Sequence, residues 1–265
     1  MRRLTYLPPY FVKSCYKKDN VTHSQTLKMG TLQEYRDTID LQVADAREGH
    51  YFMSLELEHV HLNKNFLAYL INNPNNILNA HLERKSIEKK SFLSEKMIYM
   101  EILNVQFEWT HKNRFIFCLS GLDHIEESNR IFKSYDDKWV ITRNDIQRAI
   151  KCIGEDFYAD IKKRIMNGEE IFDENFDIDD LGINVELKEV IYRDRIGRFN
   201  NRDFYIDPKF IYSIHKNIPF TKPRTYSHEK EFRLLIDFYT SKGTLTPKVK
   251  YLIITAPRTS NIIKK

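Results

Sequence analysis

The chain has 265 residues, of which 42% are hydrophobic and 13% aromatic, enough apolar material for a large folded core. Charged residues make up 30% of the chain and no low-complexity tract occurs, which argues against a disordered protein. With eight glycines and neither G-x-x-x-x-G-K nor G-x-G-x-x-G, the sequence also excludes the two common glycine-rich phosphate loops.

Cysteine usage and the N-terminus indicate a cytoplasmic protein. Cys15, Cys118 and Cys152 are odd in number and show no C-x-x-C spacing, so neither a disulfide framework nor a zinc site is expected. The opening MRRLTYLPPYFVKS lacks a long apolar segment, and no run approaches the length of a membrane span. The net charge of +5 permits an anionic partner such as nucleic acid, and equally a solvated basic surface.

The first half of the chain predicts mostly strands. Gly30 precedes a short element at Thr31, and Asp45 to Gly49 have the composition of a turn. The polar stretch from Asn63 to Lys96 predicts two helical pieces broken near Pro74. Alternating or apolar runs predict strands at His50–Leu62, Met97–Phe107, Arg114–Ser120 and Lys138–Thr142.

The second half begins with a helix predicted at Asn144–Met166. Its apolar side chains keep to one stripe, and Asn167-Gly168 predicts its end. Glu169–Asp180 holds seven acids and no Lys or Arg, but it lacks the spacing of a calcium loop, so a solvated acidic loop is expected. The remaining predictions are a helix at Pro208–Asn217 and strands at Val185–Arg193, Glu231–Tyr239 and Val249–Thr255.

These elements predict an α+β fold with a mostly antiparallel sheet. We expect one domain over residues 1–265, in which the helical segment at about 143–182 is an insertion.

A pair of glutamates stands at the head of the late strand, in TYSHEKEFRLLIDFY. If the strand begins early enough, Glu229 and Glu231 point to the same face. Two carboxylates this close repel each other, so one of them tends to hold its proton to a higher pH than the other. Such a pair suits a site that stabilises a sugar cation and activates a nucleophile. The alternative is a charged strand end that discourages aggregation.

Other functional patterns are weak or missing. Nine histidines occur without H-E-x-x-H, and no G-x-S-x-G is present, so no metal site and no serine triad are expected. Ser120 is the last residue of the predicted strand FIFCLS, and it is either a functional residue or an ordinary strand-end hydroxyl that bonds the nearby backbone. Tyr35 is either a functional residue or a packing aromatic.

The order of segments resembles a large, uncharacterised bacterial domain family. Its pattern is an early G-[ST]-[LI]-x-x-[YF]-R, then D-x-x-E-G, a strand ending in C-h-S and a late K-P-x-x-Y-x-x-E-x-E-h-R-h, where h is hydrophobic. The matching segments are GTLQEYR (Gly30 to Arg36), DAREG (Asp45 to Gly49), FCLS (Phe117 to Ser120) and KPRTYSHEKEFRL (Lys222 to Leu234). This resemblance covers most of the chain but implies no activity by itself.

A second resemblance is to ADP-ribosyltransferases, which place an early Arg or His, a central strand ending in Ser or Tyr, and a late Glu-x-Glu in that order. It implies a split, mostly antiparallel sheet with flanking helices and NAD as substrate. Ser120 matches the central position, while Glu231 and Glu229 match the catalytic pair. The first position stays open among Lys13, His23 and Arg36, and Tyr226 or Tyr35 is implied to stack on nicotinamide.

The resemblance implies a bacterial toxin or anti-phage effector that modifies a nucleic acid or a protein, with an antitoxin or chaperone as a further partner. The basic balance, with Tyr16 among Lys13, Lys17 and Lys18, favours RNA as the acceptor. The alternatives are an NAD glycohydrolase on the same fold and a non-enzymatic nucleic-acid-binding module. A metal-dependent nuclease is a further alternative, for which the acids would be Asp45, Glu48, Glu229 and Glu231.

Overall fold

The structure is a computed structural model, and it describes residues 7–39, 44–65, 78–92, 96–201 and 208–263. Its contacts divide the chain into two compact units. The larger unit comprises Met1–Glu48, Asn113–Val190 and Thr225–Lys265, and the smaller unit comprises Gly49–Lys112 and Ile191–Arg224. The sequence predicted a single domain with a helical insertion. The division into two units by contacts does not test this domain assignment, which stays a prediction.

The elements are numbered in chain order within the described residues. The strands are β1 (Tyr10–Cys15), β2 (Thr26–Thr31), β3 (His50–Asn63), β4 (Leu78–Phe92), β5 (Met97–His111), β6 (Phe115–Leu122), β7 (Asp137–Thr142), β8 (Gly182–Glu189), β9 (Ile191–Tyr192), β10 (Ile196–Asn200), β11 (Thr221–Lys222), β12 (Glu231–Thr240), β13 (Gly243–Thr244) and β14 (Tyr251–Thr255). The α-helices are α1 (Val21–Ser24), α2 (Leu32–Asp37), α3 (Ser128–Ile131), α4 (Ile146–Met166), α5 (Pro208–Asn217) and α6 (Pro257–Ser260). The described residues are therefore mixed α+β, as predicted, with few helices.

The larger unit is built on a curled antiparallel sheet, which has eight strands within the described residues. Strand β12 lies between β6 and β8, because residues 232–236 pair with both. On its other side β6 is shared by two strands: β1 pairs with its end at residues 120–122, and β2 pairs with its start at residues 115–116. Strand β7 extends the sheet from β1, and β14 extends it from β2. The sheet thus divides into two branches at β6.

Helix α4 covers one face of this sheet, as its apolar stripe predicts. Ile146, Ile153, Phe157 and Ile161 are buried, and the Phe157 ring packs edge-on against two strand phenylalanines. The helix ends where Asn167-Gly168 predicts, since Gly168 has a φ of +84°, a conformation that glycine adopts without steric cost.

The smaller unit contains long strands. Its four-stranded sheet has the order β10-β3-β5-β4 within the described residues, with β10 parallel to β3 and the other pairs antiparallel. Alternate residues of β3 and β5 are buried and pack with Ile214 of α5 and with Ile218. A short parallel pair, β9 with β11, completes the unit.

Strand β4 corrects the second of the two helical pieces predicted over residues 63–96, since residues 78–92 form a strand. Residues Leu78 to Phe92 pair with β5 over its length, from Leu78 opposite His111 to Phe92 opposite Ile98. The Lys- and Glu-rich sequence of this segment favours a helix locally, but hydrogen bonding to a long neighbouring strand overrides that weak preference. The predicted break at Pro74 lies outside the described residues.

His215 gives the smaller unit a predicted pH dependence. The side chain is buried, its ring centroid lies 4.2 Å from that of Trp109, and burial lowers the pKa of His215 to about 4. The unfolded imidazole titrates near pH 6.5, so between pH 6.5 and 4 the unfolded state takes up a proton that the folded state does not. Stability from this group is therefore present above pH 6.5 and is lost as the pH falls toward 4.

We expect His215 to lower the free energy of unfolding by about 2–3 kcal/mol between pH 7 and pH 4.5, as measured by urea denaturation. The variant His215→Gln should lose this part of the pH dependence, whereas His23→Gln, at an exposed histidine, should keep it. An unchanged pH profile in His215→Gln would contradict the assignment.

No helix within the described part of the chain is both long and apolar enough to cross a membrane.

Candidate active site

The two central strands bring Ser120 and Glu231 together. In the antiparallel pair of β6 and β12, Ser120 stands directly opposite Glu231. On its other side Ser120 stands opposite Val12 of β1, at the branch point of the sheet. Both Ser120 and Glu231 are buried. The sheet register therefore joins two residues that are far apart in sequence and that were predicted to share a site.

Glu229 precedes the strand in which it was predicted to lie. Strand β12 begins at Glu231, and Glu229 is the last residue of a 3-10 turn over Arg224–Glu229. Between them Lys230 has a φ of 48°, so the alternation of a strand does not extend back to Glu229. Glu229 is nevertheless buried, with 3% of its surface exposed, while Lys230 is exposed and bonds Glu127. The turn thus buries both glutamates and leaves the lysine outside.

Glu231 belongs to a buried cluster of three charges, the Glu48–Arg233–Glu231 cluster. The Arg233 Nε donates to Glu231 Oε1 at 2.8 Å. Its Nη1 and Nη2 donate to the two oxygens of Glu48 at 2.9 and 3.3 Å. Arg233 and Glu48 are fully buried, so these bonds lie out of water, where a carboxylate without a partner is very costly.

The Arg233 guanidinium bonds two carboxylates at once, those of Glu48 and Glu231. Burial acts to lower the pKa of Arg233, but the carboxylates of Glu231 and Glu48 outweigh it and hold that pKa well above its ordinary value. Arg233 is therefore a permanent cation, and it fixes the orientation of Glu231 through a charge-assisted hydrogen bond.

Arg36 supports the turn that carries Glu48. Its Nε donates to the Glu48 carbonyl oxygen at 2.6 Å, and its Nη1 donates to Gln33 Oε1 at 3.3 Å. The Asp45 amide in turn donates to the Tyr35 carbonyl oxygen at 2.9 Å. The two early motifs, GTLQEYR and DAREG, thus fold against each other, and Arg36 acts on the site through the backbone of Glu48.

Tyr35 and Lys13 meet at Cys118, which stands opposite Arg233 in the β6–β12 register. The Tyr35 hydroxyl lies 3.5 Å from Cys118 Sγ, and Lys13 Nζ donates to the Cys118 carbonyl oxygen at 3.1 Å. Burial, then Cys118, then the charge of Glu231 raise the pKa of Tyr35 well above its ordinary value. Tyr35 is therefore a neutral hydrogen-bonding group close to the carboxylate.

Tyr226 lies in the 3-10 turn that ends at Glu229. Its hydroxyl donates to the Ala44 carbonyl oxygen at 2.9 Å, which joins this turn to the residue before Asp45. Its phenolic group thus fixes the position of the Glu229 turn.

Gly121 leaves room for the Phe232 ring beside the site. A Cβ at this position would lie 2.4 Å from a ring carbon of Phe232 and 2.8 Å from Pro8. The Phe232 ring is itself held edge-on against Phe11, with centroids 5.1 Å apart. Only glycine fits beside Ser120 without displacing this packing.

Two residues of the site were missed as functional candidates from the sequence: Glu48 was considered only as a metal ligand, and Arg233 not at all. A usable signal was present, because Arg233 follows Glu231 by two residues on one strand and must share its face. Glu48 has no such local signal, since only the folded turn brings it to Arg233.

The acids proposed for a nuclease do not form a metal site. Glu48 and Glu231 converge, but on the Arg233 guanidinium. Within the described residues no group of three or more His, Cys, Asp or Glu side chains has the arrangement to hold a metal ion. In the acidic segment 169–180, carboxylates bond the neighbouring residues Ser241, Thr246 and Lys248, which gives them a structural role.

The fold and site together define a mixed α+β protein with a buried carboxylate–guanidinium cluster on the central strands of a branched sheet. Comparison with protein-family models, curated proteins and solved structures gave no match to this chain. Both resemblances noted from the sequence motifs therefore stay predictions.

Proposed function

We propose that this chain is an NAD-dependent ADP-ribosyltransferase, a bacterial toxin or anti-phage effector that modifies RNA by preference, or another nucleic acid or a protein. The observation that carries this proposal is the register of the central strands, which sets buried Glu231 opposite Ser120 where the sheet branches. The branching also supports the split-sheet architecture that the resemblance implies.

Glu231 has the environment that this reaction requires. When the bond between the ribose C1′ and the nicotinamide nitrogen breaks, its electron pair leaves with nicotinamide and positive charge develops on the ribose. A carboxylate that accepts a hydrogen bond from a ribose hydroxyl stabilises that charge, more strongly in a buried site than in water. Arg233 keeps Glu231 oriented and is itself held in place by Glu48.

Glu229 is assigned to the acceptor. It takes the proton of the attacking group, whose lone pair forms the new bond to C1′. Ser120 faces NAD from β6, and Tyr35 and Tyr226 supply rings for the nicotinamide. Of the candidates for the first position, Lys13 has the best support, since it lies at Cys118, two residues from Ser120.

The test is incubation of the purified chain with NAD labelled in its adenylate part, with total RNA, DNA or cell protein present or absent. We expect nicotinamide release and transfer of the label to one polymer fraction, RNA first. Release without transfer would identify the glycohydrolase alternative. Intact NAD in every reaction would overturn the proposal.

A further inference from the structure

A surface cavity of about 650 Å³ opens on the larger unit just after β1, and none of its lining residues is among those assigned to NAD. Its lining consists of Tyr16, Lys17, Lys18, His23 and Asp136, and we call it the Tyr16 cleft. A volume of this size is within the range of pockets that hold a nucleotide.

The cleft presents an aromatic ring to solvent. Tyr16 is 42% exposed, although it is a large aromatic residue. Its ring packs edge-on against Tyr135, with centroids 5.1 Å apart, and Tyr135 in turn lies 6.0 Å from the ring of Phe132. The exposed ring is thus supported from behind, which lowers the entropy lost when a flat group stacks on it.

Two lysines line the cleft beside this ring. Lys17 and Lys18 are exposed there together with His23 and Asp136, and Arg130 and Lys133 are exposed on the segment that precedes Tyr135. Three acids lie close to these lysines. Asp136 Oδ1 accepts from the Lys17 amide at 2.7 Å, and Asp137 accepts from Asn20 Nδ2 at 2.8 Å, so both hold donors of the fold, while Asp19 is exposed directly after Lys18. The side chains of Lys17 and Lys18 are exposed to solvent.

We propose that the Tyr16 cleft binds single-stranded nucleic acid. A stacking ring between lysines is the arrangement by which proteins hold unpaired bases and their phosphates without reading sequence. The cleft is open to solvent, which favours a strand that passes through over a single enclosed nucleotide.

The position of the cleft connects this binding to the candidate active site. Val12 stands opposite Ser120, and Tyr16 follows four residues later, roughly 13 Å further along β1 and its continuation. A bound strand would lie within a few nucleotides of Glu231. The role of that strand as ADP-ribose acceptor rests on the proposed function, whereas binding itself does not.

The test is fluorescence anisotropy of a labelled 15-nucleotide oligouridine with the full chain, without NAD, at rising salt concentrations. Tyr16→Ala should weaken binding about tenfold, because one stacked base is lost. The double variant Lys17→Ala/Lys18→Ala should reduce the slope of log affinity against log salt by about 1.4, for two phosphate contacts on a single strand. Adenosine monophosphate serves as a competitor.

Matched controls separate the cleft from general surface effects. Tyr251→Ala removes another exposed tyrosine, at 48% exposure, and Lys151→Ala/Lys163→Ala removes two lysines from α4. Both controls should bind like the unmodified chain. The proposal is overturned if the oligonucleotide fails to bind at low salt, if the cleft variants behave like the controls, or if adenosine monophosphate binds as tightly as the strand. Because NAD is absent, these results are independent of the proposed transferase activity.

Discussion

Glu231→Gln is expected to reduce nicotinamide release from NAD by about 10²–10³-fold while the chain stays folded. The substitution keeps the shape of the side chain but removes the charge that faces the developing ribose cation. The fold should tolerate it, because Arg233 stays paired with Glu48 and the glutamine amide oxygen can still accept the hydrogen bond from Arg233 Nε. The measurements are nicotinamide release and thermal unfolding on the same preparation.

Two further variants sharpen this expectation. Glu189→Gln changes an exposed glutamate at the end of the adjacent strand β8 and should leave the rate unchanged. Glu229→Gln should retain nicotinamide release but lose transfer to the acceptor, because Glu229 is assigned to the acceptor proton. Full activity in a folded Glu231→Gln protein would place the chemistry elsewhere or show that the chain is not this enzyme.

Arg233→Met is expected to cost about 3–5 kcal/mol in the free energy of unfolding, the usual cost of removing one partner of a buried ion pair. Methionine fills a similar volume but leaves the carboxylates of Glu48 and Glu231 buried without their shared cation. Since folded domains are stable by only about 5–15 kcal/mol, this variant should lose a large part of its stability. Urea denaturation at pH 7 measures the change.

The arrangement of the cluster predicts an asymmetry among its variants. Glu48→Gln should cost less than Arg233→Met, because the guanidinium then still pairs with Glu231, whereas Arg233→Met removes the cation that both carboxylates contact. Arg258→Met is the control, since Arg258 is half-exposed and its contacts to Glu155 and Asp156 are 3.8 and 3.3 Å long. It should cost below about 1 kcal/mol. Equal losses in Arg233→Met and Arg258→Met would contradict the view that burial makes the cluster important.

Local sequence patterns predicted the elements whose periodicity and boundary signals agree. Helix α4 follows from its apolar stripe and its Asn167-Gly168 end, and β3, β5, β6 and β12 follow from their alternation or apolar runs. The prediction failed at β4, where a lysine- and glutamate-rich segment becomes a strand because β5 offers a partner along its whole length. Local propensity is a small free energy, and long-range pairing exceeds it.

Local sequence supplies the residue types of the candidate site and their order, Ser120, Glu229 and Glu231, and it signals that Arg233 shares a strand face with Glu231. The partners that come from distant segments follow only from the folded chain. The β6–β12 register set Ser120 opposite Glu231, and the folded DAREG turn brought Glu48 onto the guanidinium of Arg233. The physical reason is that sheet register and buried ion pairs depend on contacts between distant segments. No local pattern encodes these contacts. The burial of three charged side chains is costly unless they pair with one another, and the folded geometry is what pairs them.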